Sequence, residues 1–258
     1  MAANLATALE IATATDPGMV RSHNEDSIAA DAELGLAVLA DGMGGYNAGE
    51  VASGIAVAML TTEMKQALQE QDPHKLVDGT GEPLAAALVR ENSGKANAAI
   101  FQTAKSQPQY AGMGTTLVVA LFFDNRIAVG HIGDSRLYRL RKDDFSQVTR
   151  DHSLLQEQID SGMITKEQAR YSQNKNLVTR AVGIDPEVET EVHTYDVEQG
   201  DIYLLCSDGL SDMVTDEDIH ATLDAMRANL PLAAMQLDRK STRLNSSHTD
   251  ISRMPSSA

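Results

Sequence analysis

Apolar and polar positions along this chain fall into short blocks, and most of the blocks predict strands. Residues 36–40 (LAVLA), 115–123 (TTLVVALFF), 127–132 (IAVGHI) and 202–206 (IYLLC) are near-continuous apolar runs that end at Gly, Asp or Ser. Runs of this length, rich in Val, Ile and Leu, read as strands buried on both faces. Residues 11–15 and 27–30 are shorter strand candidates around a polar loop, and RLYRLR (136–141) is another. Asp124-Asn125-Arg126 joins two of the runs as a hairpin turn. Helical spacing dominates 48–70, with Ile55, Met59 and Leu60 among its apolar positions. A loop follows at 71–82, and Pro83 fits the first turn of a second helix ending near 105. Residues 153–171 read as helix, break at Gly162, helix, with Thr165 and Gln168 spaced as a capping box. Thr215 and Asp218 have the same spacing ahead of helical residues 216–238. Short strands joined by tight turns, with helices grouped at 48–105 and 216–238, predict antiparallel sheets covered by helices. There is no regular strand–helix–strand rhythm, no internal repeat and no linker that would split the body.

Composition narrows the function classes. The 258 residues hold 21 basic and 37 acidic side chains, a formal net charge of -16. Such a chain is a poor match for the phosphate backbone of nucleic acid or for an anionic membrane surface. A single cysteine, Cys206, excludes an internal disulfide framework and a multi-cysteine zinc site. No apolar run reaches the ~18 residues of a membrane span. The N-terminal segment has no basic stretch and carries Glu10, so no signal peptide is expected. A cytoplasmic protein is predicted.

Three predicted strands end on a carboxylate: Asp41 before Gly42-Met43-Gly44-Gly45, Asp134 in Gly133-Asp134-Ser135-Arg136, and Asp208 in Ser207-Asp208-Gly209-Leu210-Ser211-Asp212. Each one alone fits a solvated turn. Together they fit a site for hard divalent cations, which favour oxygen ligands. The loop between the first two strands carries Arg21 among Asp16, Glu25 and Asp26. Its planar fork matches phosphate oxygens, although a surface ion pair is the alternative. Carboxylates, two metals and one arginine suit hydrolysis of a phosphate ester by attack of a metal-bridging hydroxide.

Two other chemistries fail on spacing. A dinucleotide-binding G-x-G-x-x-G would need Gly where Asn47 stands. A cysteine-dependent phosphatase would need Arg six residues after Cys206, where Asp212 stands.

In order, the chain shows Asp16-x-Gly18-x-x-Arg21-x-x-Asn24-Glu25-Asp26, Asp41-Gly42-Met43-Gly44-Gly45, Gly114-Thr115-Thr116, Gly133-Asp134-Ser135-Arg136 and Asp151-His152-Ser153. Val178-Thr179-Arg180-Ala181-Val182-Gly183 and Ser207-Asp208-Gly209-Leu210-Ser211-Asp212 follow. This series resembles the metal-dependent protein phosphatases of the protein phosphatase 2C family, of the bacterial serine/threonine type. The resemblance implies a four-layer α-β-β-α sandwich of two antiparallel sheets. It implies two core Mn²⁺ or Mg²⁺ ions and a third, weaker one. Asp41 would bridge the core ions, with the Gly42 carbonyl and Asp208 as further ligands. Asp134 and Asp212 would complete the third site with Asp208. Glu25 and Asp26 would hold metal-bound waters, and Arg21 would bind the substrate phosphate. Residues from about 153 to 180 look like the family's flap. The implied partners are proteins phosphorylated on Ser or Thr and a cognate Ser/Thr kinase.

The chain departs from the family twice. Met43 stands where many eukaryotic members carry His, so a metal-bound water or one of His23, His131 and His152 would protonate the leaving group. The Asp-Asn pair expected near the family's C-terminus does not follow Asp212. Residues 239–258 hold six Ser and no apolar periodicity, and are expected to be a disordered, non-native tail. The phosphatase domain is thus expected to span 1–238 and to lack its last ligand and last core strand. A non-catalytic metal- or phosphoprotein-binding module is the alternative function.

Overall fold

The structure is a computed structural model that describes residues 5–18, 23–45, 47–169, 172, 177–243 and 249–253. Its elements in chain order are β1 (Glu10–Ala14), β2 (Asp26–Asp31), β3 (Leu36–Met43), α1 (Ala48–Glu70), α2 (Leu84–Ser106), β4 (Gly114–Thr115), β5 (Leu117–Phe123), β6 (Arg126–Ile132), β7 (Arg136–Arg141) and β8 (Asp144–Gln147). They continue with α3 (Leu154–Asp160), α4 (Lys166–Ala169), β9 (Glu191–Asp196), β10 (Ile202–Cys206), α5 (Asp208–Ser211), α6 (Asp216–Ala225), α7 (Leu230–Arg243) and β11 (Thr249–Arg253). One sheet has the order β1-β11-β10-β7-β8, and the other β2-β3-β5-β6-β9 with β4 on the end of β3. The pairings are antiparallel.

Side-chain parity sorts the apolar runs into three core layers. On β5, Leu117, Val119, Leu121 and Phe123 pack with α1 and α2, while Val118, Ala120 and Phe122 face the other sheet. On β10, Ile202, Leu204 and Cys206 pack under α6 and α7, while Tyr203 and Leu205 join Val118 and Phe122 between the sheets. Strands that bury both faces need no polar alternation, which is why these runs are apolar throughout. The result is the expected α-β-β-α sandwich.

The hairpin turn at Asp124 forms with a left-handed backbone at that residue (φ 55). The capping box also forms: Gln168 N donates to Thr165 Oγ1 at 3.2 Å and Thr165 N to Gln168 Oε1 at 2.8 Å. β8 and β9 were not foreseen. Both lie at sheet edges, where one face meets solvent and the sequence is largely polar. The helix expected over 216–238 divides after Ala225, and α7 restarts with Pro231 in its first turn.

Of the C-terminal residues, 239–243 end α7 and 249–253 form β11, a strand that the sequence reading did not include. β11 pairs with β1 on one side (Ala12 opposite Ile251) and β10 on the other (Leu204 opposite Ile251). What fills this slot is backbone hydrogen bonding, since β1 and β10 both present unpaired edges without it. A backbone ladder leaves little trace in composition. Among the described residues no helix is long and apolar enough to cross a membrane.

Candidate active site

The ends of the central strands meet at one edge of the sandwich. β2 and β3 pair in a register that sets Asp26 opposite Asp41. The Asp41 backbone is pinned from both sides. Its N–H donates to Thr116 Oγ1 at 3.0 Å, and its carbonyl accepts from Thr116 N at 2.8 Å and Thr115 Oγ1 at 2.9 Å. Thr116 Oγ1 also shares a 2.7 Å hydrogen bond with Ser135 Oγ, which ties the turn after β6 to the same point. Ser207, just past β10, donates its hydroxyl to Asp26 Oδ2 at 2.8 Å. Thr115, Thr116 and Ser207 carried no role in the sequence reading. The signal was present, because Gly114-Thr115-Thr116 and Ser207 lie inside the recognised motifs.

Electrostatics identify what the cluster lacks. The Asp41 carboxyl is held well above the usual range, first by burial and then by Asp26, Asp208 and Asp134, including a hydrogen bond with Asp26. Asp134 is pushed up to about 7 by burial, Asp208 and Asp151. Carboxylates that raise one another's pKa are short of positive charge. An oxygen-rich, anionic pocket of this kind fits hard divalent cations. The charge deficit is the observation on which that fit rests.

Asp134, Asp208 and Asp212 line a cavity of about 340 Å³. Its far wall comes from the flap, with Leu155 and Ile159 of α3 and Ala169 of α4. Asp212 is exposed, while Asp134 and Asp208 are half-buried. Arg136 is held beside the cavity by the Asp151 carboxylate at 2.7–3.1 Å and by the Tyr138 hydroxyl at 2.9 Å. Burial opposes the charge on Arg136, and Tyr138 and Asp151 overcome that and raise its pKa.

Gly42 follows Asp41 because no side chain fits there. A Cβ at this position would lie 2.1 Å from the Gly49 carbonyl oxygen and 2.6 Å from that of Glu25. The first turn of α1 can therefore press against the β3 end, with Gly42 N donating to Glu25 O at 3.0 Å. Glu25 is half-buried beside Gly49. The remaining residues of the first motif shape its loop. Asp16 Oδ1 accepts from Gly18 N, and Asn24 Oδ1 accepts from Asp26 N. Arg21 lies outside the described residues.

The candidate proton donors separate. His23 is exposed at the loop edge. His131 and His152 stack on each other with ring centroids 4.7 Å apart, and burial lowers the pKa of both. His131 Nε2 is bound to Arg150 O at 2.8 Å and His152 Nδ1 to Gly133 N at 3.1 Å. One ring nitrogen of each is thus engaged with backbone.

This ordered set of strand-end carboxylates is matched at family level: the model for protein phosphatase 2C covers residues 20–240. The chain belongs to the protein phosphatase 2C family. The serine/threonine protein phosphatase PstP of Mycobacterium tuberculosis is 42% identical to this phosphatase 2C chain over 217 residues, 84% of the chain and 39% of that relative. The chain thus spans about two fifths of the length of that relative. The serine/threonine phosphatase stp of Listeria innocua is 35% identical over 83% of the chain and 82% of its own length. A crystal structure of the M. tuberculosis PstP/Ppp phosphatase superposes with a TM-score of 0.85 at 36% identity, covering 96% of this chain and 99% of that one. A structure of the PstP catalytic domain in complex with two manganese ions gives 0.82 at 37% identity, covering 96% and 99%.

Proposed function

We propose that the chain is a metal-dependent protein-serine/threonine phosphatase. The observation that carries this is the meeting of Asp41, Asp26, Asp208 and Asp134 at the strand ends, where burial and then their mutual charge raise the pKa of Asp41. The family and the two manganese ions of the PstP catalytic domain support it. Bound Mn²⁺ or Mg²⁺ supplies a nucleophilic hydroxide at neutral pH and neutralises phosphoryl charge.

The chain's own groups then have distinct tasks. Asp41, Asp208 and the Gly42 carbonyl would hold the core pair of ions. Asp134 and Asp212, which line the same cavity as Asp208, would hold a third ion with it. Asp26, steadied by Ser207, and Glu25 would orient water beside the core ions. Arg21 binds two phosphoryl oxygens of the substrate through its planar fork. Water oxygen joins phosphorus as the ester P–O bond breaks, and the Ser or Thr oxygen leaves with a proton. Met43 cannot donate that proton, and His131 and His152 are engaged elsewhere, which leaves solvent held at the carboxylates or the exposed His23 as its source. Phosphoproteins are the substrates, and a Ser/Thr kinase supplies them.

The test is hydrolysis of para-nitrophenyl phosphate and of a phosphothreonine peptide, with Mn²⁺ and with EDTA, beside Asp41→Asn. Turnover abolished by EDTA and by the substitution is expected. A folded protein that binds Mn²⁺ and turns over neither substrate would establish the non-catalytic reading instead.

A further inference from the structure

His131, His152 and Glu191 bring their ligand atoms within 4.8 Å of one another, outside the carboxylate site. Their geometry is wrong for a metal. The two imidazoles are parallel within 9° and stacked, so one ion cannot lie in both ring planes. His152 Nδ1 is already an acceptor for the Gly133 N–H. With Nδ1 unprotonated, the neutral ring carries its proton on Nε2. That proton points at Glu191 Oε2, 3.3 Å away. Arg180 Nη1, 3.4 Å from the same nitrogen, cannot donate to it.

His152 also grips Gly133 a second time, its own N–H donating to the Gly133 carbonyl at 2.9 Å. Gly133 holds a left-handed backbone (φ 101), and a Cβ there would strike Thr116 at 2.8 Å. The next residue is Asp134. On the other side, His152 begins the flap. Its carbonyl accepts from Thr179 N at 2.8 Å, and the Leu154 N–H donates to Leu177 O at 2.9 Å. The flap therefore hangs from a short stem, and the top of that stem is clamped to the peptide that sets the direction of Asp134.

We propose that His152, oriented by Glu191, is a positioning residue that couples the flap stem to the Asp134 carboxylate. The inference rests on the reading of Asp134 as a cation ligand. Partners that orient a ligand through hydrogen bonds change metal affinity by about ten- to a hundredfold when removed. In this arrangement Glu191 fixes the ring and the ring fixes Gly133. Asp134 and the flap stem are thereby tied to the same residue.

The experiment is calorimetric titration of the full chain with Mn²⁺, with hydrogen exchange of residues 131–136 and of the flap stem. Asp134→Ala, His152→Ala, Glu191→Ala and Glu191→Gln are compared with the parent. Asp134→Ala is expected to lose the weakest ion and keep the tighter ones. His152→Ala is expected to weaken that same ion about tenfold or more. Exchange should quicken at Gly133 and at the stem together. Glu191→Gln keeps an acceptor for Nε2–H and should match the parent, while Glu191→Ala should follow His152→Ala in part. If His152→Ala does not fold, the contrast between the two Glu191 variants decides. The proposal is overturned if His152→Ala, or Glu191→Ala in its place, binds the weakest ion and exchanges like the parent while Asp134→Ala does not. Parent-like Mn²⁺ binding by Asp134→Ala overturns the Asp134 reading and the inference with it.

Discussion

Asp26 and Asp41 lie opposite each other across the β2–β3 ladder with their carboxyl groups hydrogen-bonded. Two ionised carboxylates cannot share that bond, so either a proton or a cation must sit with them. This makes metal-free stability pH-dependent. Raised folded pKa values mean that the native state binds protons more tightly than the unfolded chain, whose Asp titrates near 4. The stabilisation is complete below that value and is lost as pH rises through the folded values, about 7 for Asp134. In EDTA, the melting temperature should fall from about pH 5 to about pH 8. Mn²⁺ should restore it at the upper end, and Asp41→Asn should flatten the metal-free profile. Differential scanning calorimetry at four pH values checks this. An EDTA profile equally steep in Asp41→Asn would contradict it.

Ser207 is wholly buried, and its hydroxyl reaches Asp26 Oδ2 at 2.8 Å. Ser207→Ala removes one donor and leaves the packing nearly unchanged. Mn²⁺ affinity or turnover should drop about tenfold, with little change in fold. Calorimetric Mn²⁺ titration and steady-state kinetics measure the two effects.

Gly42→Ala places a methyl group 2.1 Å from the Gly49 carbonyl oxygen, and backbone cannot rotate away as a side chain can. The first turn of α1 must lift from the β3 end. Destabilisation of about 2 kcal/mol or more is expected, the upper part of the range for point substitutions, together with loss of activity. Urea unfolding and para-nitrophenyl phosphate hydrolysis report the two. Gly45→Ala is the control, since a Cβ there meets nothing within 4 Å.

Asp201 is 1% exposed and accepts from Arg141 at 2.9 and 2.7 Å, from Glu198 N at 2.9 Å and from Tyr203 OH at 3.1 Å. Asp201→Ala strands these donors and should cost about 3 kcal/mol. Asp201 precedes β10 and Arg141 ends β7, at the opposite ends of these strands from Asp208 and Asp134. Activity of the folded fraction should therefore stay at the parental level, as read by kinetics well below the melting temperature.

β11 is the only strand paired with β1 among the described residues. Ending the chain after Arg243 should unpair β1 and speed amide exchange over residues 10–14. Ile251→Pro should do likewise, because proline removes a ladder donor from an interior strand. Unchanged exchange at 10–14 in both variants would remove β11 from the sheet.

The α1 and α2 helices, the apolar strands and the strand-end carboxylates Asp41, Asp134 and Asp208 were legible in the chain itself, because burial on two faces, helical spacing and a following glycine or serine are local signals. The edge strands β8 and β9 were not. An edge strand is half solvated, and what holds it is a neighbour distant in sequence. β11 was missed for a related reason: its place between β1 and β10 is a matter of backbone hydrogen bonds, which Thr-Asp-Ile-Ser-Arg shares with many loops.

For the site, the sequence determined which side chains carry charge and that each sits at the end of a buried strand. Only the tertiary structure decided that Asp26 faces Asp41, that Ser207 and Thr116 hydrogen-bond to them, and that His152 is hydrogen-bonded to Gly133. Those relations span 15 to 181 residues of chain. Pairwise register and packing between layers set them, and no local pattern encodes a distance between segments so far apart.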